Sequence, residues 1–188
     1  MDDNKIKTTP LKTLGDPVEL GDPVYLKHNG GLYLSFAESD VSGYYPTLGK
    51  VPVVLRFEPT FATSDLMIED GQKVKIRTSE NLVPELKKPI SSEAAIRNNL
   101  HASKAKFDWE PGAKCFYYST GGQKEFSEQH WFLMRDRLKE GVLKFGDEVY
   151  IQSADRKYLK NRLTKIGNYL TLKEGAQECW TIEPAPVR

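Results

Sequence analysis

The sequence predicts an all-β fold that is built from three similar units and contains little helix. Two observations carry this prediction. Residues 21–59 and 146–184 match at a constant offset of 125 positions, with nine identities in 39 positions, where about two or three are expected for average composition. The apolar segments are also short and bounded by turn-forming residues. Internal repetition of this kind indicates a repeat architecture.

The identical positions combine turn formers, aromatic residues and apolar pairs. They are Gly21, Asp22, Val24, Tyr25, Tyr33, Leu34, Tyr44, Glu58 and Pro59, each recurring 125 positions later. Such an ordered pattern predicts that the two copies fold alike.

A third copy fits between these two. Residues 71–76 repeat the opening of the first copy at an offset of 50, and residues 99–100 can stand where 33–34 stand. Residues 131–133 can close the unit. The fit needs insertions of 16 and 10 residues, which surface loops tolerate at small entropic cost. A β-sandwich with similar hairpins is the alternative. The predicted repeats are about 19–66, 67–137 and 138–188.

Segments rich in β-branched and aromatic residues predict strands. They lie at 24–26, 32–34, 53–55, 74–76, 115–118, 149–151 and 169–172, and the repeat alignment adds 131–134. Asn29-Gly30-Gly31 predicts a hairpin. Residues 91–98 can form one or two helical turns. Residues 1–18 are expected to be a flexible tail, or an arm that covers one end of the fold.

The composition excludes several classes of protein. Net charge is +1, from 27 basic and 26 acidic residues, so no overall field directs the chain to nucleic acid or to an anionic membrane. No apolar run is long enough for a membrane span, and no secretory signal is visible. We expect a cytoplasmic location, or export without a visible signal peptide. Cys115 and Cys179 are then expected to be reduced, half-buried thiols, although a disulfide between them stays open.

Three units of four short strands, each ending in a large apolar cluster, are typical of a β-trefoil. Residues 146–151, 157–159 and 178–183 resemble a repeat of the fascin-type trefoil. Residues 99–103 and 129–133 are similar to the MIR-type trefoils of inositol trisphosphate receptors and protein mannosyltransferases.

The closing triplets also resemble the Gln-x-Trp element of ricin-type lectins. They read Gln129-His130-Trp131 and Glu178-Cys179-Trp180, while the first unit has no Trp at this point. The resemblance covers about residues 19–185 and implies a single β-trefoil domain at 19–188. Its motifs are mostly core positions, so it indicates fold more than function.

The aromatic and histidine residues favour packing over chemistry. Trp131 and Trp180 are expected to fill the core, while Trp109 can contact a ligand or partner, or pack within its loop. The three histidines show no metal-ligand spacing. Motifs for nucleophilic, phosphate-binding or metalloprotease chemistry are also missing. We therefore expect no metal, no cofactor and no enzymatic activity.

The segment 157–165 is locally basic and, with Arg156, holds five cations in ten residues. It can be a solvated hairpin loop. It can also be a docking patch for a sulfated sugar, a phosphate head group or an acidic protein face.

Two hypotheses for function follow. The first is a lectin-like module that binds carbohydrate in shallow sites between a hairpin and the next loop, as the resemblance to trefoil lectins implies. Such a site needs amide or carboxylate groups for the sugar hydroxyls and an aromatic face for its C–H surface. The duplicated tyrosines can instead be core residues. The candidate residues are Asp155, Tyr158, Asn161 and Asn168 in the third unit and Asn29, Tyr33, Asp40 and Tyr44 in the first, with Trp109 in the second.

The second hypothesis is a protein-interaction trefoil, of the fascin-like or protease-inhibitor type. It would use the insertions of the second unit, residues 80–98 and 104–128, because loops that break a repeat pattern often carry the functions specific to one protein.

Overall fold

The computed structural model describes residues 11–37, 45–78, 99–106, 113–118, 126–136, 140–164, 167–175 and 178–186. The regular structure of these residues is almost entirely β. A single short 3-10 turn, Ser127–Gln129, interrupts it. The strands are β1 Pro23–His28, β2 Tyr33–Ala37, β3 Tyr45–Gly49, β4 Leu55–Pro59, β5 Lys73–Thr78, β6 Asn99–Lys106, β7 Ala113–Tyr118, β8 Trp131–Met134, β9 Glu148–Ser153, β10 Tyr158–Thr164, β11 Gly167–Lys173 and β12 Trp180–Pro184.

Six of these strands close into a barrel. β1 pairs with β12 and β4, β4 with β5, β5 with β8, β8 with β9, and β9 with β12, always antiparallel. Because the ladder returns to its first strand, the ring has no open sheet edge. The hairpins β2–β3, β6–β7 and β10–β11 cover one end, and β11 pairs with both β3 and β7. This architecture is the β-trefoil that the sequence predicts.

The same pairings recur in all three units. The barrel pairs are Val24–Leu55, Val74–Trp131 and Val149–Trp180, and the hairpin pairs are Lys27–Tyr33, Arg77–Asn99 and Gln152–Tyr158. Leu55, Trp131 and Trp180 therefore occupy equivalent positions, as the sequence alignment predicts.

The core lies inside the barrel. Alternate residues of β1 and β5 are buried, as expected for strands with one face toward the core. Trp131 and Trp180 are fully buried, which confirms that they fill the core.

Three short segments close the end of the barrel that lies opposite the hairpins. The Val18 N–H donates to the Leu143 carbonyl at 2.9 Å, the Leu143 N–H to Ile68 at 2.7 Å, and the Ile68 N–H to Val18 at 3.1 Å. All three residues are fully buried. We call this cyclic arrangement of Val18, Ile68 and Leu143 the floor ring.

Each floor segment leads into a turn with glycine at its third position. Gly21, Gly71 and Gly146 have φ of 88°, 82° and 97°, a region that glycine enters without steric cost. Their N–H groups donate to carbonyls of the barrel at 2.8, 2.7 and 2.7 Å. The glycines shared by the sequence repeats thus serve the turns that start β1, β5 and β9.

Residues 11–18 contact the floor of the barrel. The Gly15 N–H donates to the Phe145 carbonyl at 2.9 Å, and Lys12 Nζ lies 2.7 Å from a carboxylate oxygen of Glu19. Residues 11–18 are thus held by hydrogen bonds and an ion pair, and residues 1–10 lie outside the described residues.

Two local predictions differ from the structure. Strand β4 begins at Leu55, because the preceding Val53 donates its N–H to the Leu34 carbonyl instead of entering the ladder. The gap-free alignment is also wrong in the first hairpin. Opposite Ala37 lies Tyr45, as Tyr169 lies opposite Arg162, so Tyr45 and not Tyr44 is the equivalent of Tyr169. The loop before β3 is one residue longer than its counterpart. The predicted helical turns at 91–98 lie outside the described residues.

Candidate functional site

The hairpin β10–β11 carries an open groove on the capped end of the molecule. Its ladder is regular over seven residue pairs, from Tyr158–Lys173 to Thr164–Gly167. The groove has a volume of about 590 Å³. Its lining consists of Lys160, Asn161, Arg162, Leu163, Thr171, Leu172 and Lys173. We call it the hairpin groove.

Three of the seven lining residues are cationic and none is acidic. Lys160 and Arg162 belong to the basic segment that the sequence singles out, and Lys173 comes from the partner strand. Leu163 adds an apolar surface that is 76% exposed. Because side chains alternate along a strand, Lys160 and Arg162 point to one face of β10, and Asn161 and Leu163 point to the other. The hairpin therefore carries its positive charge and its amide and apolar groups on opposite faces.

The Glu178 carboxylate anchors β10 to the mouth of the barrel. One oxygen accepts the backbone N–H of Asn161 at 2.7 Å, and the other lies 3.1 Å from His28 Nε2. His28 Nδ1 accepts the Gly30 N–H at 3.0 Å, so Nε2 is the ring nitrogen that carries a proton. The His28 ring also packs edge-on against Trp180, with 5.1 Å between the ring centroids. The wall of the hairpin groove is thereby tied to the core.

The predicted residues of the third unit are distributed over the hairpin and its preceding turn. Asn161 lines the hairpin groove. Tyr158 lies on the face of β10 that also carries Lys160 and Arg162, opposite to Asn161, because side chains alternate along a strand. It packs against Tyr150 at 6.2 Å between the ring centroids. Asp155 is exposed in the turn between β9 and β10, and Asn168 pairs with Leu163 in the ladder. The side chains of Asp155, Tyr158 and Asn161 therefore do not form one cluster.

The predicted residues of the first unit are described in part. Asn29 is exposed in the β1–β2 turn. Tyr33 packs edge-on against Tyr25 at 6.0 Å, and its hydroxyl donates to Glu183 at 3.0 Å. This hydrogen bond to a carboxylate raises the pKa of the Tyr33 hydroxyl. Asp40, Tyr44 and the second unit's Trp109 lie outside the described residues.

Three contributors to the groove were missed from the sequence, namely Thr171, Leu172 and Lys173, all on β11. The signal for Lys173 was available, because an antiparallel pairing of β10 with β11 places it diagonally from Lys160. Only the strand boundaries would have had to be known.

The cysteines and histidines are placed as packing residues. Cys115 is buried and Cys179 is half-buried, and both are free thiols. Burial raises the pKa of the Cys115 thiol, which disfavours the nucleophilic thiolate. His28 and His101 are buried, and burial lowers the pKa of His101. In the described part of the chain, no three His, Cys, Asp or Glu side chains converge as metal ligands would.

Comparison with family models finds no match, and comparison with curated proteins finds none. Solved structures do match. A complex of lysenin with phosphocholine has a TM-score of 0.64 at 14% identity, covering 93% of this chain and 48% of lysenin. The SDF2-like protein from Arabidopsis thaliana has a TM-score of 0.66 at 12% identity, covering 92% and 99% of the two chains. These proteins are β-trefoils. This chain has the β-trefoil fold.

A third neighbour is the double-headed arrowhead protease inhibitor A, solved in complex with two trypsins. Its TM-score is 0.66 at 12% identity, covering 92% of this chain and 97% of the inhibitor. At such identities the likeness shows the fold alone, and the chain spans about half the length of lysenin. Across the described ranges, no helix is both long and apolar enough to cross a membrane.

Proposed function

We propose that the chain is a non-catalytic, lectin-like binding module that binds carbohydrate in the hairpin groove. The groove itself is the observation that carries the proposal. Its volume of about 590 Å³ falls within the roughly 300–1,000 Å³ that ligand sites usually occupy. It lies on the cap, away from the closed and packed barrel.

The lining supports a saccharide as the ligand. The lining includes Asn161, which is half-buried and whose amide N–H groups can donate to sugar hydroxyls. Thr171 also belongs to the lining but is only 4% exposed, so it forms the wall. Leu163 is 76% exposed and offers an apolar surface for the C–H face of a sugar ring. An exposed leucine on its own needs no explanation, but here it borders a polar groove.

The first unit supplies a second proposed site. Its turn carries Asn29 and its hairpin begins with Tyr33, at the places that Ala154 and Tyr158 hold in the third unit. Two weak sites on one chain would raise the avidity for a multivalent glycan without new contacts.

The structural neighbours are compatible with a binding role. Lysenin has been solved with phosphocholine, and the O-mannosyltransferase complex of S. cerevisiae with its sugar donor, at a TM-score of 0.64 and 16% identity. These ligands belong to those proteins. They support the proposal only in that small polar ligands occur among proteins that share this fold.

A glycan array tests the proposal with a matched pair of variants. Leu163→Ala removes the apolar border of the hairpin groove, whereas Val51→Ala truncates an equally exposed residue elsewhere, since both are 76% exposed. We expect wild-type binding to a subset of glycans, a loss of about tenfold in affinity for L163A, and none for V51A. Unchanged melting temperatures would show that both variants are folded.

A lack of binding across a broad array would refute the carbohydrate proposal. Capture of a protein partner that survives L163A but is lost on deletion of residues 83–96 would favour the protein-interaction alternative. That alternative rests on segments that lie largely outside the described residues.

A further inference from the structure

We infer that the hairpin groove recognises an anionic group, and that its saccharide ligand carries sulfate. The inference rests on the proposed carbohydrate-binding function and adds the chemical class of the ligand. Its basis is the placement of three cations on one hairpin.

Lys160, Arg162 and Lys173 lie on one face of the β10–β11 ladder. Lys160 and Arg162 are two residues apart on β10, so their side chains point to the same side. Lys173 pairs with Tyr158, which makes it the diagonal neighbour of Lys160, at about 7–8 Å between their Cα atoms. Three like charges are therefore held close together by regular strand geometry.

Two of these cations have no acidic partner in the described part of the chain. No ion pair joins Lys160 or Lys173 to a carboxylate there, although other cations are paired. Lys12 lies 2.7 Å from Glu19, and Arg135 lies 3.1 Å from Asp70. The repulsion between Lys160 and Lys173 is thus left for a ligand to offset.

The fold does not require these cations. The positions of Lys160, Arg162 and Lys173 are filled in the first unit by Ser35, Ala37 and Gly49, according to the ladder registers. Both hairpins place a threonine opposite, Thr47 facing Ser35 and Thr171 facing Lys160. The two hairpins therefore share their backbone frame, and the charge is particular to the third unit.

An oxyanion is the group that this charge pattern fits. Lysine and arginine donate charge-assisted hydrogen bonds to sulfate and phosphate oxygens. On the proposed function the oxyanion belongs to a saccharide, so the ligand is a sulfated saccharide. A phosphate head group shares the oxyanion but lacks the sugar ring, and the experiment separates the two sources.

The test uses a sulfated oligosaccharide, the same oligosaccharide after chemical desulfation, and vesicles that contain a phosphoinositide. Affinity is measured for the full chain and for Lys160→Gln, Lys173→Gln and Lys144→Gln. Lys144 is exposed on the floor turn at the opposite end of the barrel, so K144Q removes the same charge away from the groove. Circular dichroism confirms that each variant is folded.

We expect the sulfated probe to bind at least about tenfold more tightly than its desulfated form. K160Q and K173Q should each weaken the sulfated probe by about tenfold, and K144Q by less than twofold. Raising the salt concentration from about 50 to 200 mM should weaken binding, because exposed charges are screened.

Equal affinity for the sulfated and desulfated forms would overturn the inference while leaving the carbohydrate proposal intact. An equal loss of affinity in K144Q would show that the effect depends only on the overall charge of the protein. That result would also overturn the inference. Binding to the vesicles but to neither saccharide would overturn both proposals in favour of a phosphate head group.

Discussion

At the scale of single residues, Trp131 and Trp180 occupy equivalent barrel positions, but the hydrogen bonding of their indole N–H groups differs. Trp131 Nε1 donates to the Leu100 carbonyl at 3.0 Å. Trp180 Nε1 is buried and has no hydrogen-bond acceptor among the described residues. A buried polar group without a partner costs free energy. Burial of the indole N–H is therefore less favourable for Trp180 than for Trp131.

This difference predicts unequal costs for one substitution. Trp131→Phe and Trp180→Phe remove similar volumes from the core, but W131F also leaves the Leu100 carbonyl without its donor. We expect W131F to lower the free energy of unfolding by about 1 kcal/mol more than W180F does. Urea denaturation of the two variants measures this difference. Equal losses would show that the indole N–H of Trp131 contributes nothing net.

At the scale of elements, the turn before the second strand of a unit requires a residue with positive φ. The first and third units meet this requirement with different residues. Gly31 has φ of 90° in the first unit, and Arg156 has φ of 61° at the matching position of the third. A side chain in this left-handed region carries a steric cost that glycine avoids. The third unit therefore accepts strain at a turn that leads into the hairpin groove.

Gly31→Ala is expected to lower the free energy of unfolding by about 1 kcal/mol. A Cβ at this position would meet no atom within 4 Å, so the loss would come from the backbone alone. Gly49→Ala is the control, because Gly49 has an ordinary φ. Arg156→Gly should change stability by less than about 0.5 kcal/mol, since the relief of strain is offset by a more flexible unfolded chain. Thermal and urea unfolding measure all three, and a neutral G31A would contradict the argument.

Most elements could be predicted because most strands combine β-branched or aromatic residues with turn formers at their ends. Strand β6 could not, since Asn99–Lys106 contains no β-branched residue and no Phe, Tyr or Trp. The start of β4 could not, since Val53 and Val54 are as β-prone as the residues that follow. Their exclusion depends on the Val53 hydrogen bond to Leu34, which is a tertiary contact. The equivalence of Tyr45, rather than Tyr44, with Tyr169 could not be predicted for a related reason. Loop lengths before and after β3 differ by one residue in opposite directions, so the overall offset of 125 hides them.

The candidate site was predicted less well than the fold. Asn161 and the basic segment were readable from the local sequence. Lys173 and Thr171 belong to the hairpin groove only because β11 folds back on β10. Tyr33 and Tyr158 pack against Tyr25 and Tyr150, so part of the duplicated aromatic pattern reflects packing between strands.

At the scale of the whole molecule, the floor ring joins segments that are 50 and 75 residues apart in sequence. Each of its three hydrogen bonds links a different pair of units. No unit can form its share alone, so the floor ring exists only when all three are in place.

Amide hydrogen exchange should therefore show equal protection at Val18, Ile68 and Leu143. We expect all three to exchange only through global unfolding, because their N–H groups are buried and bonded to one another. The Asp155 amide, in an exposed turn, is the fast-exchanging control. Markedly faster exchange at one of the three would indicate that its segment opens by itself.

The closed ring of strands also bears on chain connectivity. β1 lies beside β12, with Val24 opposite Pro184, and Ala185 donates its N–H to the Pro23 carbonyl at 3.1 Å. The first and last barrel strands are therefore neighbours in space. A circularly permuted chain, opened at an exposed turn and rejoined here through a linker, would keep all six barrel pairings. The three units could therefore follow one another in a different order along the chain and still form the same structure.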